Sequence, residues 1–315
     1  MPEHDDPATF SSLDAHMRLP DYANDALGQK FVRGLNESLL ELETSLDSEI
    51  SSKTYAPINI VGVPRSGTTL ISQLLVSRFD LGFVSNLMAR FYRVPRVGAF
   101  LQRHVLADDV RVGPPFRSTH GVTGDASGPH EFGYFWSRHL GIEGGSHQLP
   151  LGEYLEQSRY HSLWTELAAI GSVFGKPWVA KNVLGCFHLP KLIEHTPIFF
   201  VHVVREREAT IQSILKARTD RLGSEDHWWS LRPIGFEQVQ DLTPREQVAW
   251  QYDQVHDTIC SGLTAAEGRS ITCSLEQLVS EPEETVCLIR DAFQKATGHL
   301  VRPIGPPLEK HDLTR

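Results

Sequence analysis

A turn rich in glycine and hydroxyl residues lies within the stretch IVGVPRSGTTLISQLL, residues 60–75, between an apolar run and a helical pattern. Its Gly62, Gly67 and Thr69 match the phosphate-binding pattern GxxxxGK[ST], but Thr68 stands where that pattern has lysine. In nucleotide triphosphatases this lysine reaches the β- and γ-phosphates, and the hydroxyl holds Mg²⁺. A loop without the lysine neutralises a long polyphosphate poorly, so the sequence favours a smaller anion.

The same loop has the groups needed to bind one compact anion. Backbone N–H groups at a helix N-terminus and neighbouring hydroxyls donate hydrogen bonds to a phosphate. Arg65, two residues before Gly67, adds a permanent positive charge. The sequence therefore predicts a site for a single phosphate that carries another substituent. The residues assigned to this site are Arg65, Ser66, Gly67, Thr68, Thr69 and Leu70.

A second candidate anion-binding element follows the apolar run FFVHVV, residues 199–204. Arg205 stands at the end of this run, and Ser213 lies eight residues further on in a helical pattern. An arginine at the carboxyl end of a strand and a hydroxyl on the next helix can converge on one phosphate dianion.

Strands and helices alternate around these two elements. Near-continuous apolar strands of this kind are typical of a parallel sheet that is covered on both faces. The alternation predicts the α/β fold class with a central parallel sheet. The predicted strands are at 58–63, 177–181, 197–204 and 269–275, and the predicted helices that follow them at 68–79, 206–218, 235–263 and 281–298.

The chain divides into three predicted segments. Residues 1–56 form an N-terminal arm and an amphipathic helix, residues 57–300 the main domain, and residues 301–315 a C-terminal tail. Within the main domain, the region at about 80–175 is rich in glycine, proline and aromatic residues and is expected to carry substrate contacts. The amphipathic helix is expected to pack on the main domain through one face, made of Leu27, Phe31, Leu35, Leu39 and Leu42.

Composition and charge exclude several classes of partner. The formal net charge is −9 and the pI about 5.9, so the surface as a whole does not favour nucleic acid or an anionic membrane. The N-terminus lacks a secretory pattern and no window has the apolar length of a membrane span, which predicts a cytoplasmic protein. The four cysteines, Cys186, Cys260, Cys273 and Cys287, lack metal-site spacing, and no metal is expected.

The segment GVPRSGTTL resembles the 5′-phosphosulfate loop of sulfotransferases that use 3′-phosphoadenosine 5′-phosphosulfate (PAPS), especially the branch of the tyrosylprotein enzymes. The resemblance spans roughly residues 57–298 and includes SLEQLVSEPEETV, with Leu275 where a tyrosine is usual. It implies a P-loop-like three-layer fold, PAPS as co-substrate and no essential metal. It also implies that Arg205 and Ser213 hold the 3′-phosphate of the donor.

Sulfuryl transfer is an in-line displacement that depends mainly on positioning and on cations near the oxygens of the donor. Arg65 is the predicted cation at the leaving phosphate. The resemblance assigns Lys181, in VAKN, to stabilise the transferring group. It would also place a base at residue 86 or 183, but Asn86 and Val183 stand there.

Other residues must therefore take the proton from the acceptor. The candidates are His120, His130 and Glu131, of which His130 and Glu131 are favoured because the aromatic stretch FGYFW follows them. Trp228 and Trp229 are candidates for the same pocket wall.

The sequence thus predicts an enzyme, a PAPS-dependent sulfotransferase acting on a hydroxyl or amine of a small-molecule or sugar acceptor. Two alternatives stay open: a P-loop kinase that uses ATP, and a non-catalytic nucleotide-binding protein of the same fold. The identity of the acceptor, the identity of the base and the oligomeric state are not readable from the sequence.

Overall fold

Five parallel strands form one central sheet in the structure, a computed structural model that describes residues 18–19, 25–46, 53–106, 116, 118, 125–142, 145–150 and 152–313. The order across the sheet is β2, β3, β1, β4, β5, so the first strand lies in the middle. The predicted α/β class with a parallel sheet is confirmed. The strands are β1 (Pro57–Val61), β2 (Gly82–Phe83), β3 (Trp178–Lys181), β4 (Phe199–Val204) and β5 (Ser270–Ser274).

Helices connect the strands and cover both faces of the sheet. Those before β3 are α1 (Ala26–Ser38), α2 (Leu40–Ser45), α3 (Thr68–Arg78), α4 (Pro95–Val105), α5 (Gly133–Leu140) and α6 (Gln157–Phe174). Those after β3 are α7 (Leu189–His195), α8 (Arg207–Leu222), α9 (Pro244–Leu263), α10 (Leu275–Ser280) and α11 (Pro282–Thr297).

The central strands β1, β3 and β4 are mostly apolar and buried because each face of the sheet has its own core. On one face, Ile58 and Ile60 of β1 pack with α3 and α11. On the other face, Val61 of β1 and Phe200 of β4 pack with α6, α8 and α9. Alternate residues of one strand thus enter two different cores, which makes three layers.

The helix boundaries follow from local sequence signals. Thr243 caps α9 with a complete capping box to Glu246. Pro282 begins α11, and Gly298 ends it in a left-handed conformation. Glu206 caps α8, since its carboxylate accepts hydrogen bonds from the N–H groups of residues 208 and 209.

The N-terminal helix differs from its prediction. It is interrupted at Leu39, and only part of the expected apolar face packs on the domain: Leu35 and Leu39 contact the core beside α4, whereas Leu27 and Phe31 are 78% and 68% exposed. Leu42, the last residue of the expected face, is also 46% exposed, whereas Val32 and Gln29, outside that face, contact the domain. The helix therefore packs through a different and narrower surface than the apolar pattern predicts.

Two further features were absent from the sequence-based assignment. The two-residue strand β2 escaped it because so short a segment has no measurable periodicity. The predicted tail packs on the domain, since Val301 and Leu308 are buried in the core with α3 and α11. Its backbone pairs with Arg78 at the end of α3 and with Glu283 in the first turn of α11.

Within the described part of the chain, none of the helices combines the length and the apolar character needed to cross a membrane.

Candidate functional site

The loop between β1 and α3 turns sharply because Arg65 and Gly67 both have left-handed backbone, with φ of 73° and 102°. A Cβ at position 67 would lie 2.7 Å from Leu275 Cδ1. A Cβ at position 62 would lie 2.6 Å from the carbonyl oxygen of Val203 in β4. Gly62 is therefore required by the close approach of β4 backbone and Gly67 by its left-handed conformation, and the turn directs the N-terminus of α3 into a pocket at the carboxyl ends of the strands.

Not every predicted donor of the loop faces this pocket. Gly67, Thr68, Thr69 and Leu70 line it, and the first turn of α3 has N–H groups without acceptors inside the helix. Ser66 differs, because its N–H donates to Val63 O at 3.1 Å and its hydroxyl is buried beside Gly62 with no hydrogen-bond partner. Ser66 therefore stabilises the compact turn that orients the helix and does not face the pocket.

Arg65, Arg205 and Ser213 converge at one end of the loop, although 148 residues separate the first from the last. Arg205 Nη1 donates to the carbonyl oxygen of Arg65 at 3.1 Å, and Arg65 Nε donates to Ser213 Oγ at 3.1 Å. They meet because β4 pairs directly with β1, so the ends of both strands are neighbours. The two predicted anchors therefore lie on the same side of the sheet, and the Arg65 side chain lies with the second anchor.

Lys181 lies at the other side of the loop. Its Nζ donates to Thr69 Oγ1 at 2.7 Å and lies 2.7 Å from Glu131 Oε1. The pairing of β3 with β1 places Lys181 beside Ile60, at the row where β1 ends. The lysine side chain is 2% exposed and that of Glu131 is 44% exposed, so a buried charge is paired with a carboxylate open to the pocket.

This lysine also controls the charge of Glu131. Burial by itself would raise the pKa of the carboxyl, but the charge and hydrogen bond of Lys181, with smaller contributions from His130 and Arg221, hold it below its ordinary value. Glu131 is therefore ionised at neutral pH.

His130 lines the pocket as an uncharged ring. Burial lowers its pKa to about 4. Its Nδ1 accepts a hydrogen bond from the Phe132 N–H at 2.8 Å, so the proton of the neutral ring is on Nε2. In this tautomer His130 presents a donor to the pocket and has no nitrogen left to accept a proton.

Asn86, where the resemblance would place a base, is a direct neighbour of the segment that carries Glu131. The Asn86 N–H donates to Gly128 O at 2.9 Å, and the His130 N–H donates to Val84 O at 2.8 Å. Asn86 and Glu131 line the same pocket. The Glu131 carboxylate thus lies in the region where the resemblance would place a base at residue 86.

The pocket has a volume of about 640 Å³, within the range of about 300–1,000 Å³ of small-molecule sites. Among the described residues that line it, Glu131 is the acidic one, whereas the basic ones are Arg18, Arg65, Arg205, Arg221 and Arg232. A protein of net charge −9 therefore concentrates positive charge in one cavity, which suits an anionic ligand.

Several pocket residues were not identified from the sequence, and four of them have polar side chains of interest here: Asn182, His147, Arg221 and Arg232. The Asn182 side chain caps Leu184 N through Oδ1, but its Nδ2 is a buried donor with no hydrogen-bond partner. Such an atom fits a ligand that supplies an acceptor. Arg221 lies eight residues after Ser213 on the same face of α8, a spacing that could have indicated it; the other three come from loops.

The other residues that the sequence suggested for the site differ in their positions. Trp229 lines the pocket, whereas Trp228 is buried and its Nε1 donates to Leu231 O. His120 lies outside the described residues. No group of three or more histidine, cysteine, aspartate and glutamate side chains among the described residues is arranged to hold a metal.

Comparisons with known proteins agree with this architecture. The model of the sulfotransferase family matches residues 57–295. The crystal structure of sulfotransferase STF9 from Mycobacterium avium aligns with a TM-score of 0.55 at 15% identity, covering 99% of this chain and 81% of that chain. Sulfotransferase STF1 from Mycobacterium tuberculosis H37Rv gives 0.54 at 16%, covering 93% and 84%. At these identities the likeness shows the fold. No curated protein matches the sequence.

Proposed function

Since the chain belongs to the sulfotransferase family, we propose that it transfers a sulfuryl group from PAPS to a hydroxyl or amine of an acceptor. The family match over residues 57–295 confirms the predicted sulfotransferase family, while the tyrosylprotein branch stays a prediction. The observation that carries the proposal is the convergence of Arg205, Ser213 and the loop at 62–69 on one pocket.

Two sets of donors in this pocket suit the two phosphate positions of PAPS. The N–H groups at the start of α3 and the hydroxyls of Thr68 and Thr69 would bind the 5′-phosphosulfate. Arg205 and Ser213 would bind the 3′-phosphate, and Arg65, hydrogen-bonded to Ser213, would lie between them. ATP would place a triphosphate where no loop lysine is present to neutralise it.

Lys181 is the cation best placed for the transferring group, because it contacts the loop hydroxyl of Thr69. The acceptor oxygen or nitrogen forms a bond to sulfur as the bond from sulfur to the 5′-phosphate oxygen breaks. The leaving group is adenosine 3′,5′-bisphosphate. Negative charge grows on the bridging oxygen, and a fixed ammonium in a water-poor pocket stabilises it.

Glu131 is the proposed base. It is ionised, it faces the pocket, and its carboxylate can accept the proton that the acceptor loses. When the donor draws Lys181 towards its oxygens, the ion pair with Glu131 weakens and the carboxylate becomes more basic at the moment of transfer. His130 would instead donate from Nε2 and help to orient the acceptor.

Incubation with ³⁵S-labelled PAPS and a panel of phenols, alcohols, sugars and amines tests the proposal. Transfer of label to any acceptor, with release of adenosine 3′,5′-bisphosphate, is the expected result. Calorimetry should show that the bisphosphate binds and that ATP with Mg²⁺ binds at least tenfold more weakly. Tight bisphosphate binding without transfer to any class would identify a non-catalytic binding protein, whereas preference for ATP would refute the donor assignment.

A further inference from the structure

We propose that Gln251, a fully buried residue of α9, is a positioning residue for the acceptor, because it holds the strained turn that carries Trp229 into the pocket. This role rests on the proposed function, since it concerns the part of the pocket where the acceptor would bind. Gln251 itself lies behind the pocket wall and does not line the cavity.

The wall at residues 229–231 has a backbone conformation that its sequence does not favour. Ser230 has φ of 69°, a left-handed conformation that is costly for serine, whereas glycine adopts it readily. Trp229, Ser230 and Leu231 all line the pocket. Strained backbone persists only where the surrounding structure fixes it, so particular contacts must hold this turn.

Gln251 holds the turn on both sides of Ser230. Its Nε2 donates to the carbonyl oxygen of Trp229 at 3.0 Å and to that of Leu231 at 2.6 Å. Its Oε1 is buried without a hydrogen-bond partner among the described residues. A buried amide is costly unless it is hydrogen-bonded, so packing alone would favour an apolar residue at this position. The two contacts with the wall give the glutamine its role.

The turn belongs to the acceptor side of the pocket. The Arg221 guanidinium lies over the ring of Trp229, 6.0 Å from the centroid, and is close enough to Glu131 to favour the ionised carboxylate of that proposed base. Arg221 also lies eight residues beyond Ser213 on α8, about 12 Å along the helix from the proposed 3′-phosphate anchor. A displaced Trp229 would therefore disturb the acceptor near the base and leave the phosphate anchors in place.

The chain beyond the turn is fixed by other contacts. Arg232 pairs with His147 through two hydrogen bonds, from His147 N to Arg232 O at 2.8 Å and from Arg232 N to His147 Nδ1 at 3.2 Å. Ile234 N donates to Gln148 Oε1 at 3.1 Å. Loss of the Gln251 contacts should therefore release the turn at 229–231 while the following residues stay bound.

Two substitutions test whether Gln251 acts through the turn. Gln251→Met keeps the length of the side chain but removes both hydrogen bonds, so Ser230 should relax towards a negative φ and displace Trp229. Ser230→Gly makes the turn less dependent on Gln251, because glycine adopts positive φ about as readily as negative φ. Gln251→Met should therefore have a smaller effect in the Ser230→Gly background. Gln251→Asn, whose shorter amide cannot span both carbonyls, is a milder variant in case Gln251→Met does not fold.

Kinetics with the full-length protein use PAPS and three probe acceptors, 4-nitrophenol, glucose and hexylamine. For a probe that receives label, Gln251→Met should raise the acceptor KM about fivefold to a hundredfold, the effect of two lost hydrogen bonds. The Kd of adenosine 3′,5′-bisphosphate should change by less than about threefold. In the Ser230→Gly background the increase in acceptor KM should be at least about threefold smaller.

Fluorine NMR of the protein labelled with 5-fluorotryptophan follows the turn without any acceptor. The resonance of Trp229, assigned by its loss in Trp229→Phe, should shift in Gln251→Met. It should return towards its original position when Ser230→Gly is added.

Gln247→Met is the matched control. Gln247 is buried one turn earlier on α9, and its Nε2 donates to the carbonyl oxygens of Gln240 and Leu242, which do not line the pocket. The substitution also removes an acceptor for Arg218, so a general loss of stability should be at least as large in this variant. Its acceptor KM and its Trp229 resonance should stay close to those of the wild type.

A raised acceptor KM with unchanged bisphosphate affinity, relieved by Ser230→Gly and absent from Gln247→Met, supports the proposal. An unchanged KM, an equal rise in Gln247→Met, or no relief by Ser230→Gly overturns it even when label is transferred. A loss of bisphosphate affinity in Gln251→Met would place the turn at the donor and overturn it as well. Transfer by the wild type to none of the probes would refute the proposed function, and the acceptor role with it, whereas the Trp229 resonance would still report whether Gln251 holds the turn.

Discussion

Replacing Arg205 by alanine should weaken binding of adenosine 3′,5′-bisphosphate far more than binding of adenosine 5′-monophosphate. The guanidinium has two roles: it would bind the 3′-phosphate, and it donates a hydrogen bond to the carbonyl oxygen of Arg65 that tethers the loop. Only the bisphosphate has the phosphate that the first role needs. Comparison of the two ligands therefore separates the roles.

The magnitudes follow from these two contacts. Both contacts involve the charged guanidinium, and a hydrogen bond to a charged group contributes about 1.5–3 kcal/mol. Loss of the tether alone should weaken the monophosphate about tenfold to 150-fold, whereas the bisphosphate should lose about tenfold to 150-fold more than the monophosphate. Arg65→Ala should weaken the bisphosphate less than Arg205→Ala, because the Arg65 backbone carbonyl that receives the tether remains.

Isothermal titration of both ligands into the wild type and Arg205→Ala measures this difference. Arg207→Ala is the control, because this neighbouring arginine is exposed and paired with Asp253 on the surface. An equal loss of affinity for both ligands would refute the assignment of Arg205 to the 3′-phosphate and leave only the structural tether. An unchanged affinity for both would remove Arg205 from the site altogether.

The remaining predictions concern the base and the response to acid. Glu131→Gln should lower kcat at least a hundredfold, while the affinity for the bisphosphate stays within threefold of the wild type. His130→Asn keeps an acceptor for the Phe132 N–H and should lower kcat less than tenfold. Equal losses of kcat in the two variants, measured in steady-state assays, would contradict the assignment of Glu131 as the base. Burial would raise the pKa of Glu166, but His139 and Arg138 hold it at about 2. Because the pKa of Glu166 is lower in the folded protein than in the unfolded chain, its ionised carboxylate adds about 3 kcal/mol to the free energy of unfolding above pH 5, and this contribution is lost towards pH 2. In urea titrations, the free energy of unfolding of Glu166→Gln should therefore change less with pH than that of the wild type.

Much of the fold and the two proposed phosphate anchors are encoded locally. Gly62 marks a close approach to backbone and Gly67 a left-handed turn, and the hydroxyls after Gly67 mark a helix N-terminus open to an anion. The central strands β1, β3 and β4 are recognisable because burial on both faces favours long apolar runs. Arg205 and Ser213 are recognisable through the family resemblance, because a strand and its following helix set their spacing.

The surroundings of the reacting atoms depend on which distant segments become neighbours. Lys181 meets Glu131 and Thr69 because β3 lies beside β1 in the sheet, an order that no local pattern specifies. A backbone hydrogen bond decides the tautomer of His130, and so separates two adjacent residues that the sequence left as equal candidates for the base.

Tertiary contacts also decide the environment of Ser66 in the loop and of Arg232 and His147 in the pocket. The motif predicts Ser66 as a hydrogen-bond donor to an anion, but in the turn its N–H donates to Val63 O and its hydroxyl is buried. Arg232 and His147 come together only through a backbone pairing between two loops. The sequence by itself determined four of the five strands, the ends of α9 and α11 and the glycine-containing loop after β1, because these depend on residues close together in the chain. Tertiary structure alone decided which charges share the cavity, because that depends on the neighbours each strand and loop acquires on folding.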